Sequence, residues 1–260
     1  MRRLLNSWAV VAAVFISDSA QARVFNFQNE YLASYLRATG GLSGVGDKAF
    51  AKAGGADTVY SDKSNYGFGG EIGLLLQFEN RVTLRLGMEI LQSQDLKKIA
   101  GKNTSGEDRF HLTSEIFAFQ PKVTVEVNLL PAPESRFYFF FGAGWSNIIL
   151  DNQFVMTATG TSELGGITDF TEKAKATAVS GHAGIGYEVL MVDTITSFFE
   201  LGYHYLPVSQ LEFKNDVTTI AQGSVVKGAT VLNGDGYKRG FDMSGVFVSL
   251  GFRFYIDFTR

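Results

Sequence analysis

The chain contains no cysteine, only 4 Pro and 3 His. The missing cysteines exclude structural disulfides, thiolate catalysis, cysteine-held metal or iron–sulfur centres, and the acylated cysteine of a lipoprotein. Three histidines leave little from which to build a metal cage, so neither a metal nor another cofactor is expected. There is no surplus of charge of one sign either. The 23 Lys and Arg stand against 26 Asp and Glu, a formal net charge of −3, so no global field attracts nucleic acid. Aromatic residues and glycine are plentiful, with 23 Phe, 10 Tyr, 2 Trp and 29 Gly. Aromatic side chains fit a pleated surface, which argues for a β-rich chain and against a helical bundle.

Long hydrophobic runs are also missing beyond the N-terminal segment. Arg2 and Arg3 precede an apolar stretch over residues 4–16, and Ala20-Gln21-Ala22 supplies the small residues of a cleavage site. This order reads as a secretory signal over 1–22 with Arg23 as the mature N-terminus, leaving residues 23–260 as one domain. The stretch is shorter than the roughly 20 apolar residues a spanning helix needs. The longest later run, residues 137–141, is followed at once by Gly142 and Gly144. The mature chain is therefore either exported and soluble or crosses a membrane as strands.

Where periodicity is strong it is close to 2, the mark of strands with unlike faces. In the last segment Val246, Val248, Leu250, Phe252, Phe254, Ile256 and Phe258 oppose Gly245, Phe247, Ser249, Gly251, Arg253, Tyr255 and Asp257. The same alternation puts Phe199, Leu201, Tyr203 and Tyr205 against Glu200, Gly202 and His204, and Ile185 and Tyr187 against Gly184, Gly186 and Glu188. It puts Phe137, Phe139, Phe141 and Trp145 against Tyr138, Phe140 and Gly142, and Val123, Val125 and Val127 against Lys122, Thr124 and Glu126. It recurs in Leu84, Leu86, Met88 and Ile90 against Arg85, Gly87 and Glu89, and in Ile72, Leu74 and Leu76 against Glu71 and Gly73. An eighth, weaker segment spans 24–37, with Phe25, Phe27, Tyr31, Ala33 and Tyr35 on one parity. Pro121 cannot donate to a ladder, so a bulge or a local break in pairing is expected there.

The connections alternate strictly in length. Short ones fall near 79–81, 131–133 and 192–194, while polar, Gly-containing ones cover 39–65, 93–110, 151–177 and 209–242. An up-and-down barrel accounts for this order, whereas a Greek-key sandwich gives no reason for it. The fold class expected is therefore all-β: an eight-stranded antiparallel up-and-down transmembrane β-barrel, four long loops at one end and short turns at the other. A soluble lipocalin-like barrel would point its apolar parity inward. An eight-stranded interior is only just wide enough for side chains, and the bulky parity would not fit it. That parity should face lipid, with Tyr31, Phe137, Trp145, Tyr205 and Phe258 forming girdles near the strand ends.

Residues 181–206, reading GHAGIGYEVLMVDTITSFFELGYHYL, resemble the penultimate hairpin of opacity-protein-like and OmpA-like outer-membrane barrels, as do FGAGW at 141–145 and GFRFYIDF at 251–258. His204 stands where that family often has Arg, and Thr259 and Arg260 follow Phe258 where the family usually ends. The resemblance covers essentially the whole mature chain. It implies a Gram-negative outer-membrane location, and it adds adhesion to a host or environmental ligand, immune exposure as a surface antigen, or a minor porin-like pore as roles for the loops and lumen.

The inward parity carries the chemistry. Glu30, Glu71, Arg85, Glu89, Lys122, Glu126, Glu188, Glu200, His204 and Arg253 fall on it. Buried charges must pair or meet water, so an ion-pair plug is expected. A narrow pore is the alternative, and it would prefer cations because acids outnumber bases in this set. Arg253 is expected to pair with Glu200, or failing that with Glu30. Small residues on this parity, such as Gly251, should accept a serine. A lipid-modifying barrel enzyme would need His beside Ser or Asp; His204 with Ser209, His182 with Ser180 and His111 with Ser114 are the candidates, and no motif joins any of these pairs. The chain reads as a non-enzymatic monomer whose partners are outer-membrane lipid and whatever the loops meet.

Overall fold

The computed structural model describes residues 25–27, 30–45, 49–50, 53–54, 58–60, 66–78, 81–93 and 96–256. The expected signal at 1–22, Arg23, most of the 79–81 turn and the closing residues Phe258, Thr259 and Arg260 lie outside them.

Eight antiparallel strands follow from the alternation: β1 (Leu32–Leu42), β2 (Tyr66–Phe78), β3 (Val82–Ser93), β4 (Asp108–Pro131), β5 (Ser135–Met156), β6 (Phe170–Val192), β7 (Ile195–Tyr205) and β8 (Gly245–Ile256). Each pairs with the next, and β8 returns to β1 with Ile256 against Leu32 and Phe247 against Gly41. Closing the ring removes the free edges that would leave backbone N–H and C=O groups unpaired in lipid. Tight turns join strands at one end; at Asp193 the turn takes a left-handed φ of 47°, a conformation that Asp tolerates better than bulkier residues. At Pro121 the β4–β5 ladder breaks between Phe119–Asn147 and Lys122–Gly144 and resumes in the same register, with no bulge.

One face of the ring is an apolar belt. Ile72, Leu74, Leu86, Met88, Ile90, Val123, Phe139, Phe141, Ile185, Leu201, Val248 and Leu250 all stand exposed, Leu250 at 55%. Tyr31, Trp145 and Tyr205 are exposed as well, and Phe137 is half-buried. A continuous belt of this kind far exceeds the few hundred Å² of apolar patch that a water-soluble monomer carries. Its solvent is lipid.

Two expectations need correction. The first strand begins at Leu32 rather than Val24, and its inward residues are Ala33, Tyr35 and Arg37. Phe25, Phe27 and Tyr35 are buried with Phe198, Leu75 and Tyr255 inside the short-turn end of the barrel, where Gln77 Nε2 donates to the Phe27 carbonyl at 2.5 Å. Apolar residues stand on both parities here, so alternation alone did not choose the face.

The second correction concerns the loops. β4, β5 and β6 run 24, 22 and 23 residues, whereas a tilted membrane strand needs about 9–11. Residues 151–156 and 170–177 are thus strand, and the 93–110 connection contains a further strand, Leu96–Lys102, paired to β4. Val59–Tyr60 adds to one side of this outer sheet and Glu212–Phe213 to the other. Above the belt the inward parity turns apolar: Leu112, Ile116, Ile148, Leu150, Phe154, Ala174 and Ala176 pack against Phe50, Leu211, Phe213, Val231 and Phe241 from the first and last loops. The loops fold into a cap with its own core.

Candidate functional site

Below the cap, the inward parity is charged. Among the described residues five carboxylates, Glu71, Glu89, Glu126, Glu188 and Glu200, meet five cations, Arg37, Arg85, Lys122, Arg136 and Arg253. Every strand of the ring contributes at least one of them. Glu71 and Glu89 stand directly opposite each other on β2 and β3, a repulsive pairing on its own. Arg37 bridges them at 2.5 and 2.7 Å, and Lys122 bridges them at 2.8 Å to each. Arg37 also holds Glu200 at 2.8 Å, and Arg85 continues from Glu200 at 2.5 Å to Glu126 at 3.2 Å. Towards the short turns, Arg253 and Arg136 each join Glu126 to Glu188, over distances of 2.6–3.0 Å.

Aromatic side chains fill the space between the charges. Arg85 lies over Tyr35 and Phe140, Arg253 over Phe198 and Tyr138, and Arg136 over Phe27 and Tyr138, at 4.6–5.6 Å from the ring centroids. Arginine's planar cation suits both a fork to carboxylate and a stack on a ring. The Tyr138 hydroxyl donates to Glu200 at 3.0 Å, the Tyr255 hydroxyl to Glu188 at 3.0 Å, and the Tyr35 hydroxyl to Glu71.

Of the ten lumen residues expected from sequence, eight lie in this array: Glu71, Arg85, Glu89, Lys122, Glu126, Glu188, Glu200 and Arg253. Glu30 is buried, but two residues before β1 begins. His204 faces the lumen from β7, and among the described residues its Nε2 has no hydrogen-bond partner. The expected partner of Arg253 was wrong. It meets Glu126 and Glu188, because its register neighbour on β7 is Thr196 while Glu200 lies beside Ser249, about 13 Å further along at 3.3 Å per residue. Arg37 and Arg136 were missed. Arg37 falls inward once β1 is given the odd parity, and Arg136 would have emerged by carrying the Tyr138–Phe140 alternation one step back towards the turn. With both included, the ion-paired array, Glu30 apart, holds five acids and five bases among the described residues.

The His–Ser candidates are dispersed. His182 Nε2 lies 2.7 Å from Thr124 Oγ1, while Ser180 meets Gln120. Ser114 points inward to Asn152 at 2.6 Å and His111 is exposed on the other face. Ser209 is exposed beyond the end of β7.

A closed eight-strand ring, a lipid-facing belt and a polar lumen define the class: the chain is an eight-stranded outer-membrane β-barrel, as the resemblance to opacity-protein-like and OmpA-like barrels implied. No protein-family model matches it, and no curated protein matches its sequence. Solved structures do. A major outer membrane protein from Thermus thermophilus is similar at 13% identity over 86% of this chain and 99% of that one, with a TM-score of 0.52. OprG from Pseudomonas aeruginosa shares 13% identity over 88% and 98%, with a TM-score of 0.44. Ail, the attachment invasion locus protein of Yersinia pestis, shares 9% over 86% and 99%, with a TM-score of 0.40. Of these three, the Thermus protein alone is close enough in shape to carry an argument, and at that identity the argument is for the fold.

Proposed function

We propose that the protein is a closed, non-enzymatic, monomeric surface barrel, a lipid-embedded stem that presents a folded cap to a host or environmental ligand. The observation behind this reading is that, among the described residues, side chains fill three levels of the interior: apolar ones in the cap, the ion array in the membrane, and Phe25 and Phe27 among aromatic residues at the short-turn end. Carboxylates and cations paired across the ring, with aromatic rings between them, support a structural plug over a pore. Self-closure of the ring supports the monomer.

Planar-bilayer recording of the refolded protein tests the plug. Flat current up to high voltage is expected, and reproducible unitary steps would overturn it. Mass spectrometry of lipid A from expressing cells should show no new species; a deacylated or otherwise modified product would make the barrel an enzyme.

A further inference from the structure

The chain that precedes β1 lies within the short-turn mouth of the barrel. Phe25 and Phe27 meet edge-on with ring centroids 4.9 Å apart, and they meet Tyr255 of β8 in the same way at 5.3 and 6.0 Å. Gln77 of β2 holds both ends of this segment: its backbone N–H donates to the Tyr31 carbonyl at 2.8 Å and its Nε2 to the Phe27 carbonyl at 2.5 Å. The Phe27 N–H donates in turn to the carbonyl of Pro133, at 3.5 Å, in the turn between β4 and β5. In a ring of this strand order that turn stands opposite β1, so the segment crosses the mouth as a strap. Arg136 stacks on Phe27 at 5.4 Å while it joins Glu126 to Glu188, which puts the strap directly against the end of the ion array.

We infer that this strap is a latch, which seats after the ring has closed and seals the short-turn mouth. Its pocket is made by Leu75 and Gln77 of β2, Arg136 of β5, Phe198 of β7 and Tyr255 of β8. Residues from both ends of the barrel sequence meet there only once β8 has paired with β1, so before closure the two phenylalanines have no pocket to enter. Burial of two rings holds the strap in place, but Phe25 and Phe27 belong to none of the eight strands. The strap can therefore leave while the ladders of the ring stay intact, a local opening of low cooperativity with the rest. Its release uncovers Arg136 and, behind it, Thr83 of β3, whose Oγ1 accepts from Arg136 Nη1 at 3.1 Å. Ser249 lies deeper, 3.3 Å from Glu200, where Arg37 and Arg85 converge. The latch goes beyond a closed surface barrel and does not depend on it: it concerns the mouth alone, and conductance is not the readout.

The chain has no cysteine, so a single introduced one reports access. Thr83→Cys and Ser249→Cys, each in the full chain refolded in micelles, are treated with a water-soluble maleimide, with and without the pair Phe25→Ala and Phe27→Ala. Thr83→Cys is expected to be protected behind the strap and to react at least tenfold faster once the two rings are gone, while Ser249→Cys stays protected in both backgrounds. Heat-modifiable mobility should persist without the rings, because the ring of strands is complete. A second measurement keeps both phenylalanines: during refolding, protection of Thr83→Cys should appear after the heat-modifiable band. Equal reactivity of Thr83→Cys in the two backgrounds would remove the seal. Exposure of Ser249→Cys alongside it, or loss of the heat-modifiable band without the rings, would make the strap part of one cooperative barrel instead of a latch. Protection that precedes or coincides with the band would overturn the order of seating.

Discussion

Arg253 donates to Glu126 through both terminal nitrogens, at 2.6 and 3.0 Å, contacts Glu188 at 2.9 Å and stacks on Phe198. Truncating it leaves Glu126 without its two-pronged partner and Glu188 with one arginine, Arg136, in place of two, in a buried site. Arg253→Ala should therefore cost about 3–5 kcal/mol in urea unfolding from lipid vesicles. Arg253→Lys should recover only part of that, because an ammonium cannot reproduce the fork. A double-mutant cycle should give larger coupling with Glu126→Gln than with Glu200→Gln; the reverse order would contradict the array as described. The neighbouring Gly251 corrects a sequence expectation. A Cβ there would overlap the Leu36 carbonyl oxygen and the Phe198 ring. Gly251→Ser should thus cost about 1–3 kcal/mol through overpacking, comparable with the roughly 2–4 kcal/mol expected for Leu250→Arg in the lipid belt. The small lumen residues are small because large ones lie opposite them.

At the scale of the strand, β4 exchanges the chemistry of its two faces along its length. In the membrane its outward side chains are Val123, Val125 and Val127 and its inward ones Lys122, Thr124 and Glu126; above the belt the outward ones are His111, Thr113 and Glu115 and the inward ones Leu112 and Ile116. The two solvents explain the exchange. Lipid outside goes with a polar filling, and water outside goes with an apolar core. A test on one face of one strand follows: Val123→Arg should cost about 2–4 kcal/mol for folding into lipid, while Thr113→Arg should stay within about 0.5 kcal/mol, as a surface change in water does. Equal penalties would mean that the belt extends over the whole strand. The exchange also explains why the outer halves of β4, β5 and β6 looked like loops. The alternation persists, but its polarity inverts partway along and weakens in any window that spans the inversion.

At the scale of the molecule, the cap is tied together by a buried polar cluster. Arg239 from the last loop meets Glu172 on β6 and donates to Asn233 Oδ1 at 3.1 Å, while Asn152 on β5 donates to Glu172 at 3.1 Å and accepts from Ser114 on β4 at 2.6 Å. Residues from three strands and the last loop thus share one buried pair inside an apolar core. Arg239→Ala should loosen the cap and leave the stem intact: proteolysis within residues 206–244 should accelerate at least tenfold, while heat-modifiable mobility and insertion into lipid persist. Loss of both together would mean that cap and barrel fold as one cooperative unit.

Residues 68–78, 82–90, 117–127, 137–145, 183–189, 199–205 and 246–256 disclose the barrel by their alternation alone, because a membrane strand sees one solvent on each side and writes that difference at every second residue. Strand number, the order of long and short connections, the lipid face and eight of the array's ten charges are all legible from Glu71, Arg85, Leu250 and their neighbours. What the chain does not disclose are matters of distance across the lumen. Arg37 and Glu71 are 34 positions apart and Arg253 and Glu126 are 127 apart, and no local pattern says which charge a long side chain will reach. The parity of β1 is settled in the same way, by Tyr35 and Arg37 finding Glu71, Glu89 and Glu200 across the ring. The cap likewise requires four distant segments to bury one another's apolar residues. Alternation is a local consequence of the pleat, whereas pairing and capping exist only once the ring has closed.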